Sequence, residues 1–132
     1  MSKVQILNLN SNFIKILPDD LFDQFPNIIN FSISNNLIIQ IPKRVANWQS
    51  HLEITELSKN RIQKLYPLVA MKNLKSLFIQ SNEFQYIPVE FVQLTKLNEL
   101  GLDWFKYLNP PVDPIVSRPY IDKLYQLLED KQ

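Results

Sequence analysis

Side chains able to do chemistry are few in this sequence, and their spacing argues against a reaction. The one histidine, His51, has no serine or carboxylate set around it in any motif spacing, so it reads as a solvent-facing loop residue. Asp19-Asp20 and Glu129-Asp130 are paired carboxylates. Such pairs do acid–base work only in a cleft that moves their pKa values apart. One pair follows Pro18 and the other lies at the chain end, so they read as a helix N-terminus and a solvated tail. There is no cysteine, which excludes disulfides and thiolate-held metal. Gly101 is the one glycine, whereas phosphate-cradling loops need several so that the backbone can approach the phosphate. The sequence therefore predicts no catalytic, cofactor-binding or metal-binding residue, and no enzyme.

The polar residue that recurs at fixed spacing is asparagine. Asn12, Asn36, Asn60 and Asn82 each follow an alternating apolar stretch. An asparagine amide is donor and acceptor at once. It can satisfy backbone N–H and C=O groups where a chain turns inward after a strand, as a buried leucine cannot. The ladder is therefore read as structural.

The elements that place these asparagines are repeats starting at residues 4, 28, 52, 74 and 97, with spacings of 24, 24, 22 and 23. Alternation such as Leu74, Leu77, Ile79 suits a short strand with one apolar face. One strand cannot bury that face, and stacked repeats bury it as a continuous core. Pro18, Pro42 and Pro88 follow an inward Leu or Ile. Helical turns or short helices are predicted after them, over 19–25, 43–48 and 89–94, with Leu21, Phe22, Phe25, Val45, Trp48, Phe91 and Leu94 supplying core. The third repeat has Tyr66 where proline is expected and Thr55 at an inward place, which predicts the least regular unit. In the fifth, Phe105 replaces the asparagine and Tyr107 follows. Pro110, Pro111 and Pro114 then argue against further strand pairing. Ser117 and Pro119 suit a helix start, and Ile121, Leu124, Leu127 and Leu128 follow helical spacing. Residues 109–132 thus read as a Pro-rich turn and a capping helix.

The stretch LKSLFIQSNEFQYIP from Leu74 to Pro88 fits L-x-x-L-x-L-x-x-N-x-L, with Leu74, Leu77, Ile79, Asn82 and Phe84 in the fixed places. It resembles the leucine-rich repeat family, over residues 4–108. The unit length and the Ile/Leu-Pro step resemble the intracellular classes. The ending LNELGLDWFKYLNPP resembles a segment that closes repeat arrays in ciliate proteins. The resemblance implies an α/β leucine-rich repeat solenoid, a right-handed β/α superhelix of about five repeats with a parallel concave sheet and a C-terminal capping helix. It also implies a non-enzymatic scaffold, adaptor or regulatory subunit that binds a protein partner on the concave face. Two alternatives stand beside it. One is the targeting segment of a larger enzyme such as a kinase or ubiquitin ligase. The other is a structural part of a cytoskeletal or ciliary assembly.

Register places Ile54, Glu56, Phe78, Gln80, Glu99, Asp103 and Trp104 on the outward side of the last three repeats. Aromatic residues rimmed by acids resemble a binding hot spot, so these are the candidate partner-binding residues, with Phe78 and Trp104 exposed at the centre. The formal net charge is +1, too small for a nucleic-acid or anionic-lipid surface. No apolar run approaches the ~20 residues of a membrane span, and the first residues lack a signal-peptide core. With the missing cysteines, this gives an expectation of a cytoplasmic chain. Repeat one begins at Val4 with an uncovered apolar edge, which leads us to expect a fragment of a longer protein with flanking repeats or domains.

Overall fold

The computed structural model describes residues 3–42, 51–104 and 113–130, and the side chains of these except Phe22. Five three-residue strands, β1 (Ile6–Asn8), β2 (Asn30–Ser32), β3 (Ile54–Glu56), β4 (Ser76–Phe78) and β5 (Glu99–Gly101), lie side by side in chain order. They are parallel and in register, with Leu7 beside Phe31, Thr55, Leu77 and Leu100 in turn. The alternation in sequence dictates this. Each strand sends its middle residue inward, and Phe31, Thr55, Leu77 and Leu100 are all buried. The next inward row, Ile33, Leu57, Ile79 and Leu102, is buried too. So are Ile28, Leu52, Leu74 and Leu97 at the repeat starts. A fully buried side chain of this size contributes about 1.5–3 kcal/mol, and each row passes through every repeat, so the core is continuous. The fold is a leucine-rich repeat solenoid.

Where it is described, the far side of the turn is helical but short. α1 spans Leu21–Gln24, and 3₁₀ turns span Tyr66–Ala70 and Val89–Gln93. Pro88, at φ −59°, sets the entry to the last turn, and its carbonyl accepts the Phe91 N–H at 3.0 Å. The helical turn expected over 43–48, with Val45 and Trp48, lies outside the described residues, as do Phe105, Tyr107, Pro110 and Pro111.

Three expectations are corrected. Repeat three is not set apart: Thr55 is buried and β3 pairs in register on both sides. Threonine has the branched shape of valine, which suits a strand. Strand pairing does not stop at β5 either. A two-residue strand β6, Ile115–Val116, pairs antiparallel with it. The prolines stand before β6, and a proline that cannot donate can still accept: the Leu102 N–H reaches the Pro114 carbonyl at 3.2 Å. The last helix, α2 (Tyr120–Asp130), starts after Pro119, and the Ser117 hydroxyl donates to the Arg118 carbonyl instead of capping it. α2 buries Ile121, Leu124 and Tyr125 against the last repeats. The Tyr125 hydroxyl donates to the Leu94 carbonyl at 2.9 Å.

Candidate functional site

The turn after each strand is built from two residues. In the first four repeats, Ser11, Asn35, Lys59 and Ser81 take left-handed φ values of 56–61°. This conformation is costly for side chains other than glycine, asparagine and aspartate. The ladder asparagine comes next and ties the turn to its neighbours. Asn60 Nδ2 donates to the carbonyls of Ile33, Leu57 and Ser58 at 3.0–3.2 Å. Its Oδ1 accepts the Ile38 N–H at 3.1 Å. Asn36 and Asn82 repeat the pattern, accepting from Ile14 and Ile62. They reach back to Leu9 and Leu57 respectively. Asn12 donates only to Leu9 and Asn10, within its own repeat, and is exposed. These turns hold the strands, and hence the concave face, in place.

On that face the structure brings together six of the seven residues singled out by register. Cross-strand pairing sets Ile54 beside Ser76 and then Glu99, and sets Glu56 beside Phe78 and then Gly101. Ile54, Glu56, Phe78, Gln80 and Asp103 are half-buried, and Glu99 is exposed. The seventh is a correction. Trp104 is 2 % exposed and points under the C-terminal cap. Its indole N–H donates to the Pro114 carbonyl at 2.9 Å, and its ring meets Tyr120 edge-on at 6.2 Å. The reason is local. Trp104 stands where the earlier repeats hold a left-handed residue, yet it does not adopt positive φ, so its side chain enters the core.

The acids of the face have tasks within the scaffold. Glu56 Oε1 accepts the Ser58 N–H at 2.9 Å, and Glu99 Oε1 accepts the Ser76 hydroxyl at 2.7 Å. The Asp103 carboxylate accepts the Ser81 N–H at 3.0 Å. Gln80 differs, because its Oε1 is buried with no partner among the described residues. It lies over Gly101, where an added Cβ would stand 2.4 Å from it. The one glycine is thus explained by this close approach. A glycine within a strand was the sequence signal for it. His51 is exposed, and among the described residues no group of three or more His, Cys, Asp or Glu is placed to hold a metal. No helix among them is long and apolar enough to cross a membrane.

No family model matches the chain. It is similar to a probable inactive serine/threonine-protein kinase of Dictyostelium discoideum, roco10, at 33% identity over 76% of this chain and 4% of that protein. It is also similar to osteomodulin from Rattus norvegicus, at 31% identity over 63% of this chain and 19% of that one. Among solved structures, an LRR protein of Leptospira interrogans matches with a TM-score of 0.71 and 28% identity, over 93% of this chain and 29% of its own. The LRR ectodomain of the Arabidopsis receptor kinase HAESA, solved with an extended IDA peptide hormone, matches with a TM-score of 0.55 and 26% identity. That likeness covers 65% of this chain and 16% of the ectodomain. The chain thus spans between 4% and 29% of the length of each of these proteins.

Proposed function

We propose that this leucine-rich repeat protein is a non-enzymatic binding module that holds a protein segment against the C-terminal half of its concave face. The contact residues are Ile54, Glu56, Phe78, Gln80, Glu99 and Asp103, and Trp104 supports them from behind. The observation that carries the reading is the half-buried Phe78, set in a parallel sheet between Glu56 and Gly101. An aromatic anchor on a rigid surface with a polar rim is the usual centre of a protein contact. The HAESA ectodomain, which carries a peptide on the same fold, supports a protein or peptide partner.

The test is capture of partners by the wild-type chain, by Phe78→Arg and by Tyr86→Arg, with folding checked by circular dichroism. Tyr86 is exposed away from the strands and serves as control. A partner held by wild type and Tyr86→Arg and weakened about 30-fold or more by Phe78→Arg is expected, as for a hot-spot anchor. A partner retained equally by Phe78→Arg contradicts the reading.

A second reading rests on roco10, where the match occupies 4% of a much longer protein. In it the same face serves as the targeting segment of a larger regulatory protein, with any catalytic part outside these residues.

A further inference from the structure

Charge is distributed unevenly between the concave face and the rest of the chain. The whole sequence is close to neutral, with 14 Lys and Arg against 13 Asp and Glu. The outward rows through Ile54, Glu56 and Ser58 run along the sheet from repeat to repeat. They carry Glu56, Glu99 and Asp103 but no lysine, arginine or histidine. The cations that flank these rows are Lys75, already paired with Glu53 at 3.2 Å, and Lys59, on its left-handed turn.

The three acids are held by neutral donors alone. Glu56 and Glu99 each use Oε1, for the Ser58 N–H and the Ser76 hydroxyl, so Oε2 of each is left for a ligand. Asp103 takes the Ser81 N–H. These bonds fix the carboxylates in place, and no ion pair among the described residues offsets their charge.

The acids stand around one aromatic ring. Phe78 has Glu56 beside it on β3 and Gly101 beside it on β5. Glu99 and Asp103 lie two residues either side of Gly101, on the same outward side, so strand spacing and rise set each about 8 Å from Phe78 along the backbone. Gln80 fills the space over Gly101, so a ligand meets the Phe78 ring and not a notch beside it. Ile54, two residues before Glu56, adds an apolar surface on that side. An aromatic face attracts a cation. Guanidinium suits this place best, because it lies flat on a ring, stays charged and forks onto a carboxylate. Lysine offers only a strongly hydrated point charge. An acidic segment would meet three like charges.

We propose that the partner is a basic protein segment that anchors an arginine on Phe78. The guanidinium lies over the ring and reaches the free oxygens of Glu56 and Glu99, and its apolar stem runs along Ile54. This rests on the binding reading above and adds the chemistry of the partner to it.

The test selects a random peptide library on the full chain. Each selected peptide is resynthesised with arginine replaced by lysine and by citrulline, the uncharged counterpart of arginine. Fluorescence anisotropy compares wild type, the double variant Glu56→Gln with Glu99→Gln, Glu90→Gln and Phe78→Ala, with circular dichroism for folding. Glutamine keeps an oxygen for the Ser58 and Ser76 donors and removes the charge. Glu90, in the Val89–Gln93 turn away from the strands, is the charge control. Peptides that depend on Phe78 are expected to carry arginine. Citrulline and the double variant should each weaken them about tenfold or more, lysine less, and Glu90→Gln not at all. Added salt should weaken them too. The citrulline comparison uses wild type only, so it stands even where the double variant fails to fold. Phe78-dependent peptides that bind equally well with citrulline, or that contain no arginine, overturn the inference and leave the binding reading intact. A selection that yields no Phe78-dependent peptide overturns both.

Discussion

The first and last repeats are made to the same pattern and end in opposite ways. Val4 and Leu97 occupy the same place in the repeat, yet one is 36% exposed and the other 1%. Leu7 and Leu9 are half-buried, whereas Leu100 and Leu102 are sealed. The difference comes from what lies beyond each. Leu100 pairs with Val116 of β6 and the Leu102 N–H donates to the Pro114 carbonyl, whereas no described strand lies beyond the first repeat. Asn12 shows the same contrast with Asn60: one makes two bonds within its repeat, the other four, shared between its own repeat and the one before. A repeat therefore gains its stability from its neighbours, as expected of a quasi-one-dimensional array. The part of the concave face around Phe78 and Asp103 stands on repeats whose inward rows are all buried.

That contrast can be broken from the closed end first. Trp104→Ala removes the side chain that joins β5 to the cap, and urea unfolding is expected to show a loss of about 3–5 kcal/mol. Asn60→Ala leaves the Ile38 N–H and the Ile33 and Leu57 carbonyls short of partners inside the core. A loss of about 3 kcal/mol is expected, whereas Asn12→Ala costs under about 1 kcal/mol because water reaches its partners. Tyr125→Phe removes one buried bond to the Leu94 carbonyl, for about 1 kcal/mol. It also changes the alkaline limb of stability. Burial pushes the Tyr125 hydroxyl up to about 12, offset in part by nearby Arg118, with Asp122 adding to the rise. The folded state therefore holds this proton above the ordinary value near 10. Wild type should lose stability as pH rises from about 10 to about 12, and Tyr125→Phe should lose less over that window. The smallest change is expected at the open end, where Phe13→Ser shifts stability by no more than about 0.5 kcal/mol.

Much of this architecture is legible in the sequence, because one physical rule is written several times over. Alternation gives the strands, the fixed asparagines mark the inward turns, and spacing sets register, so the outward positions can be read without coordinates. What is not legible depends on position, not residue type. Trp104 reads as outward because the register that places Ser81 and Lys59 is carried one repeat too far, past the point where the left-handed turn stops. β6 is hidden by the prolines before it, since the missing donors are plain in sequence while the usable Pro114 carbonyl is not. The acids of the concave face look free, but Glu56 accepts the Ser58 N–H two residues on, and Asp103 accepts the Ser81 N–H, which only the fold brings near.

The most direct test of this account is native-state hydrogen exchange, residue by residue. Amides bonded to the next repeat, Leu9, Ile33, Leu57 and Ile79, and the Leu102 amide bonded to Pro114 of the cap, form a series from the first repeat to the last. Leu57, Ile79 and Leu102 are expected to exchange with the slow rates of global unfolding, and Leu9 to open locally at least a hundredfold faster. Equal protection from Leu9 to Leu102 would contradict it, because the cap and the neighbouring repeats would then contribute nothing that the first repeat lacks.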